Sequence, residues 1–384
     1  MGDSSHGISV ELADIPEPVV IGQDWVKIRT IMSGISAMDE GLVFRHDHFS
    51  WAPFLSFPFV PGNENMGIVT ETGSEIVGIE IGERAVVDPI LSCRPRGVEP
   101  ICPSCARGEP SWCLSFSSGS IGPGIMVGAC PETGGGWGGS FLAHRSQVRL
   151  IPRDMESDQA VLVPEFARAV KAVLSRPPAA GERVVIVGGG SLGLLMLIAL
   201  EALAPGTAVL LIAEHSFEAD AAAKFSRADV AVSHGPGTAF EDVAKFTGAT
   251  VRYNRPGRTN IEGGADLVYE TTGKGEYIED AIRFAGEGKR LVLAGFRQPS
   301  GIDLGPLWFK GIEIRTTGFS GAVSYNGGIS DVFDLALDLV RNSPLPVSEI
   351  LTHKFRLEEH RQAFTAIENR AASKAIKVIF HQAV

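Results

Sequence analysis

Arg183-Val184-Val185-Ile186-Val187 runs without a break into Gly188-Gly189-Gly190-Ser191-Leu192-Gly193, and an apolar segment continues to Leu203. A short β-branched run, a G-x-G-x-x-G turn and a helical segment in that order form the first half of a βαβ unit. Each glycine has a separate task. Gly188 permits the tight turn, Gly190 lets the backbone approach a pyrophosphate, and Gly193 allows the helix to pack closely on the strand. Ser191 and Leu192 open the helix, where unpaired N–H groups and a partial positive charge favour an anion. The next apolar run, Ala208–Ala213, ends at Glu214, which lies 214 − 193 = 21 residues past the last glycine. A carboxylate there accepts hydrogen bonds from ribose hydroxyls and repels a 2′-phosphate, so NAD is expected over NADP. The plainer reading of Glu214 is a solvated loop acid. His215 reads as a surface or adenine-edge residue. Lys377 and Arg315 are candidate phosphate contacts.

The same alternation continues outward. Phe217–Phe225 is helical, and Val230–Ser233, Asp266–Glu270, Arg290–Gly295 and Ile312–Thr316 read as further strands. Strands alternating with helices imply a parallel sheet covered on both faces. Ile329–Arg341 and Leu357–Asn369 read as helices and Ala375–Phe380 as a strand. Gly248–Gly264, polar and rich in Gly and Asn, reads as a surface insertion. The first 160 or so residues differ in character. Trp25–Met32 alternates apolar and polar side chains with the period of a half-buried strand, and Gly67–Thr72 and Arg84–Val87 look similar. The run Gly134-Gly135-Gly136-Trp137-Gly138-Gly139 has no helix after it and reads as a structural turn.

Four of the five cysteines cluster: Cys93, Cys102, Cys105 and Cys113. A Cys-x2-Cys pair with a further cysteine on each side supplies the soft ligands of a closed tetrahedral zinc site, whose role is structural. Cys130 stands apart and reads as a small buried residue.

The chain has 384 residues, 34 Lys+Arg against 45 Asp+Glu, and hence a net charge of −11. That length predicts two domains, and that charge excludes nonspecific binding to nucleic acid or anionic membranes. With 44% apolar and 21% charged residues, the composition is that of a globular protein. No run reaches the ~18 apolar residues of a membrane helix. Met1-Gly2-Asp3-Ser4-Ser5-His6 lacks the basic start and apolar core of a signal peptide, so a cytoplasmic protein with a small-molecule substrate is expected.

With the nucleotide motif and the cysteine cluster in hand, the chain resembles the medium-chain dehydrogenase/reductase superfamily, the zinc-type alcohol and polyol dehydrogenases. The likeness takes in Ser33-Gly34-Ile35-Ser36-Ala37-Met38-Asp39, Phe59-Val60-Pro61-Gly62-Asn63-Glu64-Asn65-Met66-Gly67-Ile68-Val69, the four-cysteine lobe, the nucleotide motif and Ala294-Gly295-Phe296. It implies an α/β architecture with a Rossmann dinucleotide-binding domain inserted in a GroES-like β-rich catalytic domain. The expected spans are 1–163 for the catalytic domain with its structural zinc lobe, 164–318 for the Rossmann domain, and 319–384 for the return to the catalytic domain. It also implies cofactor in the interdomain cleft, Thr272, Ala294, Gly295 and Phe296 as further cofactor-binding residues, and a homodimer or homotetramer. The first gap of the cysteine lobe is longer than usual, which leaves Glu99 as an alternative to Cys93.

The departures from the family bear on chemistry. Relatives hold a second, catalytic zinc through a Cys, a His and a Cys or Glu. At those positions this chain has Ser36, Asn63 and Val163, which offer no thiolate, imidazole or carboxylate. Asp39 and Glu64 remain, with Glu64 in the family a supporting group near the cofactor cleft, and Gly41 falls where relatives often have a His. The expected protein is therefore a zinc-independent, NAD(H)-dependent oxidoreductase of specialised metabolism, moving a hydride to or from a carbonyl, alcohol or activated C=C or C=N group. Ser36 and Asn63 are candidate donors to an oxyanion, and His46, His48 and Asp39 candidate general acids. Against these, the two histidines read as a surface loop and Asp39 as a helix-start residue. Phe49, Trp51, Phe54, Phe57 and Phe59 suggest an apolar pocket wall, or core packing. Two readings from other classes stay open: a fold repurposed for net non-redox chemistry, and a non-catalytic binding protein.

Overall fold

The computed structural model describes residues 10–44, 54–253, 259–297 and 301–382. The expectations for Met1–His6, His46, His48, Phe49 and Trp51 lie outside these residues. The chain forms two compact units. One comprises residues 1–167, 318–342 and 351–384, the other residues 168–317 and 343–350.

The first unit is built on a mixed sheet whose strands follow the order Leu351–Phe355, Lys377–His381, Trp25–Gly34, Glu64–Thr72, Arg84–Val87, Val148–Leu150. Trp25–Gly34 is the hub. It pairs antiparallel with Glu64–Thr72, with Ser140–His144 and with Lys377–His381. Its alternation buries Val26 and Ile28 against Val69, Val87 and Phe141. The register sets Gly34 opposite both Glu64 and Ile379. A Cβ at Gly34 would collide with the Glu64 carboxylate and lie 3.1 Å from Lys377 Cε, so the glycine makes room for two buried charged side chains.

The second unit holds a six-stranded parallel sheet in the order Glu313–Thr316, Ala285–Leu293, Ala265–Glu270, Arg183–Val187, Ala208–Ala213, Asp229–Val232. Its inner strands are apolar along their length because helices cover the sheet. Val185, Val187, Leu210, Val268, Ile282 and Leu291 share one core cluster. The helix after the glycine turn spans Ser191–Leu203.

Two segments differ from expectation. The helix expected over Ile329–Arg341 begins only at Val332, because Gly328–Asp331 pairs with Ala322–Tyr325 in a hairpin. Asp331 then caps the helix, its side chain accepting from Phe333 N at 2.9 Å. Within Gly248–Gly264, Thr250–Tyr253 pairs with Thr259–Glu262, and Ile261 is buried, so the insertion is a hairpin anchored on the core. Among the described residues, no helix is long and apolar enough to cross a membrane.

Candidate functional site

Ser36 and Asp39 form a reciprocal cap at the start of helix Ala37–Phe44. Ser36 N donates to Asp39 Oδ2 at 2.9 Å, and Asp39 N donates to Ser36 Oγ at 3.2 Å. The helix-start role of Asp39 is therefore real, and the side chain does more. Ser36 Oγ donates to Asp39 Oδ2 at 2.7 Å. Asn63 Nδ2 donates to Ser36 Oγ at 2.9 Å and to Asp39 Oδ2 at 3.3 Å, and Gly62 N to Asp39 Oδ1 at 3.4 Å. The donors expected to face an oxyanion thus converge on Asp39 instead. Burial raises the Asp39 pKa to about 6 against these hydrogen bonds, so the group takes up a proton far more readily than an exposed aspartate.

Beside this network lies a buried Glu–Lys–Glu group. Lys377 Nζ binds Glu64 Oε2, sits 2.8 Å from Glu165 Oε2 and donates to Ile35 O at 3.4 Å. Lys377 is 2% exposed. It does not present the free ammonium that a phosphate contact needs, which corrects that expectation. Burial alone would depress its pKa, and the two carboxylates outweigh burial and hold it above the ordinary range. Glu64 is pushed up to about 7, by burial first and by the like charge of Glu165, against the pull of Lys377. Sequence reasoning had set Val163 at this place. Val163 is buried at the start of helix Val163–Ser175, and it is Glu165, two residues on, that reaches the group. Ser36, Asn63 and Val163 offer no zinc donor set, and Ser36 Oγ and Asn63 Nδ2 are engaged with Asp39. A catalytic zinc does not fit these residues.

The Gly134–Gly139 run is a structural turn, as expected. Gly136 N donates to Gly62 O and Trp137 N to Pro61 O, both at 3.0 Å. A Cβ at Gly136 would collide with Asn65 Oδ1, so the glycine lets this turn press against the strand carrying Glu64. Of the aromatic residues suggested as a pocket wall, Phe54 and Phe57 are exposed.

In the second unit, the glycine turn matches the physics of its motif. Gly188 has φ +113°, and a Cβ there would lie 2.5 Å from Thr271 Oγ1. A Cβ at Gly193 would collide with Gly188 O. Gly190 caps the helix opening at Ser191 and Leu192 with no side-chain hydrogen bond. This is a cradle of backbone that a dinucleotide pyrophosphate fits. Thr272 N and Oγ1 both donate to Glu270 Oε1 at 2.6 Å, and Ala294 N and Gly295 N donate to Glu270 O at 2.8 and 2.9 Å. These contacts gather Thr272, Ala294 and Gly295 at the carboxyl ends of the central strands, where open α/β sheets bind ligands. Phe296 follows directly in the chain. Glu214 stands just past strand Ala208–Ala213 and pairs with Lys274 at 3.0 Å, a partner that sequence did not indicate. His215 caps the next helix and stacks on Phe217.

The cysteine lobe answers the question between Cys93 and Glu99. The four Sγ atoms of Cys93, Cys102, Cys105 and Cys113 lie within 4.8 Å of one another, and Glu99 is exposed. Cys93–Cys113 and Cys102–Cys113 separations are 3.6 and 4.0 Å, close to the ~3.8 Å edge of a tetrahedron with zinc–sulfur bonds of about 2.3 Å. Backbone N–H groups of Cys102, Leu114 and Ser115 donate to these sulfurs, as thiolates require. The set fits one structural zinc. Arg96, fully buried and not anticipated, ties the lobe further by donating to the carbonyls of Leu91, Ser118, Ile121, Gly122 and Gly124.

Residues 22–153 match the family model of the alcohol dehydrogenase GroES-like domain. D-arabinitol dehydrogenase 1 of Uromyces fabae is 23% identical, over 97% of this chain and 94% of that one. Sorbitol dehydrogenase of Bacillus subtilis is 22% identical, over 94% and 90%. Among solved structures, 2R,3R-butanediol dehydrogenase from Bacillus subtilis superposes with a TM-score of 0.73 at 20% identity, covering 98% of this chain and 97% of that one. The fold, the glycine cradle and the cysteine lobe agree with these likenesses: residues 22–153 carry the GroES-like domain of alcohol dehydrogenases, and the chain is similar over nearly its whole length to polyol dehydrogenases.

Proposed function

We propose that the protein is an NAD(H)-dependent oxidoreductase that moves a hydride to or from a small or medium organic substrate without a catalytic zinc. The observation that carries this reading is the closed network of Ser36, Asp39 and Asn63 at the positions where relatives hold that metal. The nicotinamide, when bound, supplies or takes the hydride. The chain's own residues handle the proton. Ser36 Oγ–H points at Asp39, so an alcohol that displaces Asn63 Nδ2 from Ser36 Oγ gives its hydroxyl proton to Ser36 while Ser36 passes its own proton to the Asp39 carboxylate. In the reverse direction the same two groups return the proton to a carbonyl oxygen. Glu64, Lys377 and Glu165 set the local field. Gly188, Gly190, Ser191, Leu192 and Gly193 would hold the pyrophosphate, and Thr272, Ala294, Gly295 and Phe296 would bind other parts of the cofactor.

Glu214 supports NAD(H) over NADP(H), because its carboxylate stands where the adenosine ribose hydroxyls are read. The five free cysteines, four of them converging as metal ligands, support a reducing compartment such as the cytoplasm. A homo-oligomer is supported by the open edge strand Glu313–Thr316, beside which Trp308 and Phe309 are 87% and 90% exposed. Following substrate and NADH together tests the reaction type. One nucleotide consumed per product formed is expected. Turnover with no net change in nucleotide would contradict the reading and favour a repurposed, non-redox fold.

A further inference from the structure

Glu214 is not a lone carboxylate. Its Oε2 lies 3.0 Å from Lys274 Nζ, and the two side chains are 39% and 33% exposed. They come from different parts of the sheet. Glu214 follows strand Ala208–Ala213, and Lys274 follows strand Ala265–Glu270, with the glycine-turn strand Arg183–Val187 between them. Lys274 is anchored at its base: its backbone N–H donates to Thr272 Oγ1 at 3.0 Å, and it caps helix Gly275–Phe284. Its ammonium also lies 5.3 Å from the Tyr277 ring centroid. The neighbouring acids are engaged elsewhere. Glu218 accepts from Glu214 N and His215 N at 2.8 and 3.2 Å, and Asp280 accepts from Gly237 N at 2.7 Å.

We propose that Lys274 is a specificity-determining residue of the nucleotide site, which neutralises Glu214 and offers its ammonium to the 2′-phosphate of NADP(H). The proposal rests on the reading of Glu214 as the ribose-facing acid. A lone carboxylate rejects a 2′-phosphate by like-charge repulsion. A carboxylate already paired with an ammonium presents little net charge, so that repulsion is largely cancelled. The lysine stem is flexible and its head is a point charge that binds phosphate in any orientation. With an unphosphorylated ribose, Lys274 stays on Glu214 and the hydroxyls bind the remaining carboxylate lone pairs. With a 2′-phosphate, Lys274 pivots to it. The site then prefers NAD(H) only modestly and admits both nucleotides.

Calorimetric titration of the full chain with NADH and with NADPH tests this, on the wild type, Lys274→Met and Lys274→Arg. The wild type should bind NADPH within about tenfold of NADH. Lys274→Met should weaken NADPH by about tenfold or more, the loss expected for a charge-assisted hydrogen bond, and leave NADH within about threefold. Lys274→Arg should keep NADPH binding. Wild-type NADPH affinity should also fall more steeply with salt than NADH affinity. The proposal is overturned if Lys274→Met shifts both nucleotides equally or neither, or if the wild type rejects NADPH by more than about a hundredfold. In either case NADH binding leaves the nucleotide site itself intact. Failure of the wild type to bind either nucleotide overturns the underlying reading of the site and this proposal with it.

Discussion

Ser36 has one proton and two lone pairs, and all three are engaged: with Asp39 Oδ2, Asp39 N and Asn63 Nδ2. If this hydroxyl passes protons to Asp39, Ser36→Ala and Asp39→Asn should each lower kcat by about 10²–10⁴-fold, the range for a positioned general base. Asp39 must be ionised to accept a proton, so kcat/KM for alcohol oxidation should rise with pH through about 6, and the rise should disappear in Asp39→Asn. Unchanged kcat in both variants would remove the pair from the chemistry. Lys377 makes a different prediction. Its removal leaves Glu64 and Glu165 buried without a counter-charge, which should cost about 3–5 kcal/mol at pH 8 in Lys377→Met. The Glu64 pKa is already raised to about 7, and loss of the ammonium raises it further. Protonation at pH 5 therefore relieves the charge, and denaturant unfolding of the variant should show a smaller deficit there. The helix-start role of Asp39 was legible in sequence, but its pairing with Ser36, which reads as a donor to an oxyanion, was not. Lys377 was misread because its partner Glu64 lies 313 residues away, and no local pattern distinguishes a buried lysine from a phosphate-binding one.

The element whose sequence was most legible is the strand, glycine turn and helix from Arg183 to Leu203. Its constraints are short-range, and a β-branched run and a periodic apolar segment each announce their period. Gly193 carries the tightest of these constraints. Its Cα faces Gly188 O, so Gly193→Ala forces the helix off the turn. The expected result is destabilisation by about 1–3 kcal/mol from overpacking, together with loss of nucleotide binding, read by thermal melts with and without NADH. A variant of normal stability that still binds would show that the turn yields. The cysteine lobe was legible in its ligands but not in its second tie. No local pattern marks Arg96, and only the fold brings five carbonyls to it. The hairpin at Ala322–Asp331 was also hidden, because the apolar run into the following helix masks where pairing stops and Asp331 caps.

At the scale of the molecule, the open edge Glu313–Thr316 and the exposed Trp308 and Phe309 predict a symmetric self-association. Light scattering should give at least a dimer, and Trp308→Glu combined with Phe309→Glu should shift it towards monomer; a monomeric wild type would contradict this. The proposal at this scale is that the chain keeps one zinc site and works with a hydrogen-bonded carboxylate network in place of a second. The cysteine lobe keeps four sulfurs within 4.8 Å of one another, while Ser36, Asp39 and Asn63 hydrogen-bond to one another. The most direct test is the zinc content of the active enzyme before and after dialysis against a weak chelator, measured alongside turnover. The account predicts about one zinc per chain, held by the cysteines throughout, and turnover unchanged by the chelator. Two zincs per chain would contradict it, and so would activity that is lost on dialysis and restored by added zinc while the cysteine-bound metal stays in place.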